Sequence, residues 1–338
     1  MKRLLKYAVI RILLTIPMLL ILLTLAFFIL RIMPGDPVKA VLGAHAPPEV
    51  IEEKRQELGL DKPMMAQYVD YLGDLLRFDL GRSMIYEQKV SKPIMEKLPA
   101  TLELIIIGMG LTIIIGIPLG AFAASKRRTG GDMGIRLYGI IVFCIPVYWM
   151  GLMLQLIFGI WLGWLPVAGR TGARVFPSDF DRTGFYIIDT ILSQNWSALG
   201  DVLVHLALPA LTLGIVLSGV FVRMTRANML DVLKSDYVLA ARARGIAERK
   251  VVYSHALKNA FIPILTMLGL QFALLLGNAL LTETTFSWPG MARLLIERIY
   301  LRDYPTVQGC IVVIALMVSL ISLLVDIVYA VIDPRVKY

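Results

Sequence analysis

Residues 12–30 carry no charged side chain, and at 1.5 Å of rise per helical residue they are long enough to cross a hydrocarbon core of about 30 Å. Similar apolar runs occupy 99–124, interrupted only by Glu103, and 137–166, 204–222, 261–281 and 306–325. In lipid a backbone can satisfy its polar groups only as helices or as a closed barrel, and runs of this length suit helices. The expectation is an all-α polytopic membrane protein with six transmembrane helices. A mean hydropathy of +0.72 and 57% hydrophobic residues exclude an ordinary soluble domain of 338 residues.

Charge then orients the spans. Lys2, Arg3, Lys6 and Arg11 precede the first run, Lys126, Arg127, Arg128 and Arg136 separate the second from the third, and Arg335 and Lys337 end the chain. Six crossings place all of these on one side, so the positive-inside rule puts both termini in the cytoplasm. The formal net charge of +9 is therefore an orientation signal, and nucleic-acid binding loses its main support. Arg31-Ile32-Met33-Pro34-Gly35-Asp36-Pro37 follows the first run without a small-residue cleavage site, which reads as an uncleaved span rather than a signal peptide.

The chain divides into a tail and first span over 1–30, an external helical loop over 31–98, and a five-span core over 99–338. Within the loop, proline near the start and glycine past the end frame a helix from Pro48 to Leu58. A second helix begins after Asp61. Met64, Met65, Tyr68, Val69, Leu72, Leu75 and Leu76 give it an apolar stripe for packing on the spans or the membrane interface. The loop is taken as a surface cap without a ligand role.

In the core, Gly116 and Gly120 form a small-x-x-x-small face for close helix packing. Glu103 is placed in the first turns of its helix, where its carboxylate can reach the interface. Pro146 should kink the long third run, and Trp161 and Trp164 fit an interfacial belt. Residues 167–203 look like an external loop. His205 has no partner at metal-ligand spacing, and Cys144 and Cys310 each lie inside an apolar run, so neither a metal site nor a disulfide is indicated. Gln271 and Asn278, seven residues apart, share one helix face and serve either as interhelical glue or as lining of a polar pathway. Trp288-Pro289-Gly290 is a turn with an interfacial aromatic, and Asp326 is placed near the cytoplasmic end of the last span.

The segment 223–263 is too charged for lipid. Arg223, Arg226, Lys234, Arg242, Arg244, Arg249, Lys250 and Lys258 stand against Asp231, Asp236 and Glu248. Asp236 can cap a helix running to Ala243, and Gly245 offers the left-handed turn that ends it. A second helix puts Val252, Tyr253, Ala256 and Leu257 on one face, a pattern that Val251 breaks. A basic, half-apolar helical hairpin between two spans is either a loop touching anionic lipid or a docking element for a soluble partner.

No G-x-x-x-x-G-K-[ST] loop, H-E-x-x-H helix or G-x-S-x-G elbow occurs, and His45, His205 and His255 are scattered. The chain is thus expected not to be an enzyme. A self-sufficient secondary transporter would show internal repeats and mid-membrane charge, and neither is visible.

Ala240, Ala241 and Gly245 stand at the spacing A-A-x-x-x-G, which resembles the coupling motif of importer permeases in the ATP-binding cassette superfamily. Leu239 replaces the glutamate of the general motif, and Pro263 comes later than the usual closing proline. Both departures resemble the dipeptide and oligopeptide branch. So do Asp236-Tyr237-Val238, His255-Ala256-Leu257-Lys258-Asn259-Ala260, Leu58-Gly59-Leu60-Asp61-Lys62-Pro63, Asp79-Leu80-Gly81-Arg82-Ser83, Trp288-Pro289-Gly290 and Arg302-Asp303-Tyr304-Pro305. The resemblance implies a type I importer permease in the cell (inner) membrane. It implies a second homologous permease subunit, two ATPase subunits holding ATP and Mg, and an external substrate-binding protein. Ala240, Ala241 and Gly245 would shape the coupling hairpin, with Arg244, Ile246 and Arg249 as contacts. Members of this branch carry peptides, while relatives take nickel, glutathione or oligosaccharides.

Overall fold

The computed structural model describes residues 2–32, 37–42, 46–57, 59–176, 178, 180 and 182–332. Met33, Pro34, Gly35, Asp36, His45, Leu58 and the tail from Asp333 lie outside the described residues. Among the described residues regular structure is helical, apart from one bridge pairing Arg82 with Lys89. Among the described residues five helices are long and apolar enough to cross a membrane, and a bent pair makes a sixth if counted as one span.

The chain forms two compact units that interleave in sequence. One comprises Met1–Ala8, Ala100–Trp288 and Leu320–Tyr338, the other Val9–Pro99 and Pro289–Ser319.

In the second unit, α1 (Lys2–Ile32) supplies its length from Val9 onward and is followed by α2 (Pro37–Leu42), α3 (Pro48–Glu57) and α4 (Met64–Leu76). Gly59 ends α3 at φ +63°, a conformation that suits a residue without Cβ. Of the α4 stripe, Met65, Val69 and Leu76 are exposed within the chain. Its aromatic edge packs instead, with Tyr68 and Tyr71 against Phe27 of α1 and the Tyr68 hydroxyl 2.6 Å from Thr24 Oγ1. After α13 (Met291–Tyr300), α14 (Tyr304–Ile332) enters the same unit, and two of the distinctive sequence words meet there. Asp303, fully buried, accepts from Ser83 Oγ (2.6 Å), the Met84 N–H (3.1 Å) and Thr306 Oγ1 (2.6 Å). Gly309 is needed for contact: a Cβ there would lie 2.5 Å from Val90 Cγ1.

In the first unit, α5 (Ser91–Ser125) packs along α9 (Trp196–Val232) through a seam of small residues. A Cβ on Gly116 would lie 2.5 Å from Phe221 Cβ, and one on Gly120 2.7 Å from the Val222 carbonyl oxygen. Because α5 starts at Ser91, Glu103 sits deep in the helix rather than in its first turns. The third apolar run does break at Pro146. There α6 (Gly130–Cys144) meets α7 (Val147–Leu154) and its π-helical continuation Gln155–Trp161 at 105°. Trp161 and Trp164 are both exposed. The stretch 167–203 is not simply loop. It contains α8 (Tyr186–Leu192) and the start of α9, which the Asn195 side chain caps by accepting from the Ala198 N–H (3.1 Å). Towards its other end α9, which runs to Val232, carries Arg226, and this pairs bidentately with Asp132 of α6 (2.6 and 2.9 Å). The next long helix, α12 (Leu257–Thr285), extends past both ends of the apolar run 261–281.

Candidate functional site

Between α9 and α12 the chain folds α10 (Asp236–Ala243), turns at Gly245, and continues through α11 (Glu248–Lys250) and a π turn (Val251–Ala256). The N-cap of α10 is Ser235 rather than Asp236, which occupies the first helical position, where its charge still suits the helix dipole. Gly245 has φ +73°, and the Gly245 and Ile246 N–H groups donate to the Arg242 and Ala241 carbonyls (2.9 and 3.3 Å), closing the helix end.

The second arm is not the regular helix expected. In a π turn the bonds run from i to i+5, so Val251 falls on the same face as Ala256. Val251, the residue that breaks an α-helical wheel, is thereby fully buried with Val252, Ala256 and Ala260, while Tyr253 is left exposed. This arm, Val238 and Ala241 pack on Ala121 and Ala124 of α5, on Met229 of α9 and on Leu233 just past its end. Leu230, Val232, Ile246 and Leu257 border the same cluster. The Tyr237 hydroxyl accepts from Asn259 Nδ2 (2.7 Å), tying the two arms. Arg242 adds two bonds to Glu248 (3.0 and 2.7 Å) across the turn. The Arg242 hydrogen bond, and after it burial acting in the opposite sense, leaves the Glu248 carboxyl below its ordinary value.

Six residues were singled out in the hairpin, and they divide by burial. Ala240, Arg244, Gly245 and Arg249 are exposed, Ile246 is half-buried, and Ala241 is buried. Ala241 and Ile246 therefore hold the hairpin on the helices, while the other four lie on its free face. Leu239 belongs with that face as a half-exposed hydrophobic residue, and its place beside the two alanines was the only signal for it. A tip combining an exposed leucine, small residues and arginines can seat in a partner's groove, with its base rigidly fixed on α5 and α9.

Gln271 and Asn278 lie on α12 as their spacing requires. Gln271 is buried and its Oε1 has no hydrogen-bond partner, whereas Asn278 is half-buried and its backbone carbonyl accepts from Thr282 Oγ1 (3.0 Å). Gln271 makes no interhelical glue bond through that oxygen.

At the end of α5 remote from the hairpin, eighteen residues or roughly 27 Å of helix from Ala121, lies a cluster with little trace in the sequence. Arg170 donates to Glu103 Oε2 (2.6 Å) and to the Gly184 carbonyl (2.7 Å). Glu103 Oε1 accepts the Ile187 N–H (2.7 Å), and the guanidinium lies 3.6 Å from the Tyr186 ring centroid. Trp288 is fully buried rather than interfacial, and its indole N–H donates to the Ala100 carbonyl (2.9 Å). Thr101 donates to Glu283 (2.5 Å). Asp189 orders the loop carrying Gly184 by accepting the Arg182, Thr183 and Gly184 N–H groups (3.0–3.1 Å). His205 bonds the Asp201 carbonyl (2.8 Å), and no metal-ligand cluster occurs among the described residues.

Residues 116–338 match the family described as binding-protein-dependent transport system inner membrane component, and residues 4–105 match its N-terminal companion. The chain is 43% identical, over 99% of its length and all of the relative's, to the dipeptide transport system permease protein DppB of Alkalihalophilus pseudofirmus. It is 42% identical to the di/tripeptide transport system permease protein DppB of Pseudomonas aeruginosa, over 93% of each chain. The dipeptide transport system permease protein DppB of Escherichia coli K12 is 41% identical with the same coverage. A solved structure of the MetNI methionine ABC transporter, in inward facing conformations, shares the fold. Its TM-score is 0.52 at 14% identity, covering 70% of this chain and 93% of that one.

Proposed function

Because the chain belongs to the family of binding-protein-dependent transport system inner membrane components, we propose that it forms half of a membrane pathway for peptides, powered by ATPase subunits that dock on the hairpin 223–263. A second homologous permease subunit supplies the other half, and an external binding protein delivers the substrate. ATP and Mg are held by the two ATPases, and this chain contributes transport without an ATPase site of its own. It resides in the cell (inner) membrane with both termini and the hairpin in the cytoplasm. The observation that carries this reading is a basic hairpin whose arms are locked on α5 and α9 by a shared apolar cluster while its tip stays exposed. Force applied to such a tip passes into two long apolar helices rather than dissipating in a loop. For this to drive alternating access, the ATPases must contact the tip differently when closed and open. Ala240, Gly245, Arg244 and Arg249 make those contacts, Ala241 and Ile246 hold the base, and Gln271 and Asn278 line the pathway.

Gly245→Asp tests the docking role. A Cβ at Gly245 meets nothing within 4 Å in this chain, so what the new carboxylate disturbs is the left-handed turn and whatever docks there. The variant should insert normally but lose ATP-driven peptide uptake and ATPase co-purification, while Gly245→Asn, which tolerates positive φ as aspartate does but carries no charge, should retain more of both. Normal uptake by Gly245→Asp would remove the hairpin from the mechanism.

A further inference from the structure

Along the start of α6 runs a surface cleft of about 380 Å³, lined in chain order by Arg128, Met133, Arg136, Leu137 and Ile140, all of them exposed. Its charge gathers at the helix start. A long helical side chain leans back toward the N-terminus, so Arg136 reaches over the preceding turn toward Arg128, while Leu137 and Ile140 carry the cleft the other way. Arg128 leaves the backbone from a fixed point. It stands in the left-handed region (φ +64°), and its N–H donates to Asp132 Oδ2 (3.0 Å). Asp132, the acid among the lining residues, does not neutralise the two arginines. It lies in the field of Arg136, but it is buried and its charge is matched by Arg226, which binds both of its oxygens (2.6 and 2.9 Å). Neither cleft arginine has a salt-bridge partner among the described residues, so two guanidinium charges are left over. The apolar part continues down the helix. Met133, Leu137, Ile140 and Cys144 follow helical spacing on an exposed stripe, turned away from the buried Gly139 and Val142 that face α9. Arg136 is also the last charge before the uncharged run 137–166, so the cleft straddles the level at which the helix passes from water into hydrocarbon.

We propose that this cleft holds an anionic glycerophospholipid, its phosphate at Arg128 and Arg136 and an acyl chain along Met133, Leu137, Ile140 and Cys144. Guanidinium groups take phosphate oxygens through charge-assisted bonds, and a basic pocket beside a span suits a lipid headgroup. A soluble anion would use the charge and leave the apolar continuation uncovered. The inference requires α6 to enter the bilayer and requires nothing of the importer reading, so either can fail while the other stands.

The native thiols provide the test, because Cys144 is exposed and can carry a bimane label while Cys310 is buried. Cys144 lies roughly 12 Å along the helix from Arg136, at the depth of mid-chain acyl carbons. The labelled full-length chain is placed in phosphatidylcholine vesicles that contain equal mole fractions of acyl-brominated phosphatidylglycerol or acyl-brominated phosphatidylcholine, and quenching by the two is compared. Phosphatidylglycerol should be enriched at the label about tenfold, since two arginines attract it and none repels the other lipid. Arg128→Gln combined with Arg136→Gln should cut the enrichment to within about twofold. Lys126→Gln combined with Arg127→Gln, exposed neighbours outside the cleft, should keep most of it. Equal quenching by the two lipids would overturn the proposal. Equal losses in the two double variants would overturn it as well, leaving only the general attraction of a basic loop. Displacement of the lipid by millimolar inorganic phosphate would give the cleft to a soluble anion instead. Unchanged enrichment in the Arg128→Gln, Arg136→Gln variant, with ATPase co-purification lost, would give it to a protein partner. Quenching by neither lipid would overturn both the site and the crossing of the bilayer by α6.

Discussion

Two arginine–glutamate pairs in the same unit differ chiefly in their access to water. Arg170–Glu103 has both side chains 5% exposed at 2.6 Å, and Arg242–Glu248 has them 37% and 55% exposed at 2.7 Å. The buried pair is held on every side, by the Ile187 N–H, the Gly184 carbonyl and the Tyr186 ring. Removing either partner leaves an uncompensated charge in a poorly solvated place. The exposed pair loses little when broken, since water replaces each partner and salt screens the attraction. The same chemistry thus fixes one end of α5 in a single arrangement and leaves the hairpin end free to be remade against a partner.

Arg170→Met should expose this contrast most strongly. Stranding Glu103 should cost about 3–5 kcal/mol, read as a marked fall in thermal unfolding temperature in detergent, and adding Glu103→Leu should restore most of it. If the single variant unfolds like the parent, burial does not distinguish the pairs. Gly116→Val comes next and separates charge from packing. Forcing a side chain against Phe221 should cost about 1–3 kcal/mol with both ion pairs intact, measured in the same melt. The exposed pair should respond least. Glu248→Gln should change global stability by no more than about 1 kcal/mol. Because Arg242 holds the Glu248 carboxyl below its ordinary 4.5, the pair's contribution is complete above that value and disappears as pH falls through the lower folded-state value. Hydrogen exchange of the amides around Gly245, corrected for intrinsic rates, should show protection dropping there in the parent and not in Glu248→Gln. A global transition at that pH carried by Glu248 would break the comparison from the other side.

Much of the hairpin was legible. Its helix, its glycine turn and its charge followed from local propensity and from the cost of placing arginine in lipid. The second arm was not, because a 3.6-residue wheel has no place for Val251, and only packing against α5 and α9 selects the π turn that buries it. Asp132 had a faint signal, standing three residues after the capping Thr129, but its bond to Arg226 joins positions 94 apart. Glu103 drew notice as an acid in an apolar run, whereas Arg170 looked like any loop arginine. Trp288 looked interfacial because an indole beside Pro-Gly commonly is, until the Ala100 carbonyl took its N–H.

Periodicity, uncharged length and basic asymmetry are properties of neighbouring residues, and by themselves they determined that this chain is helical, crosses a membrane several times and carries a basic hairpin between two spans. Which buried polar groups meet was decided only by tertiary structure: Glu103 with Arg170, Asp303 with Ser83, Thr101 with Glu283. Such partners lie far apart in sequence, and they are selected because each must be satisfied once helix packing has removed it from water.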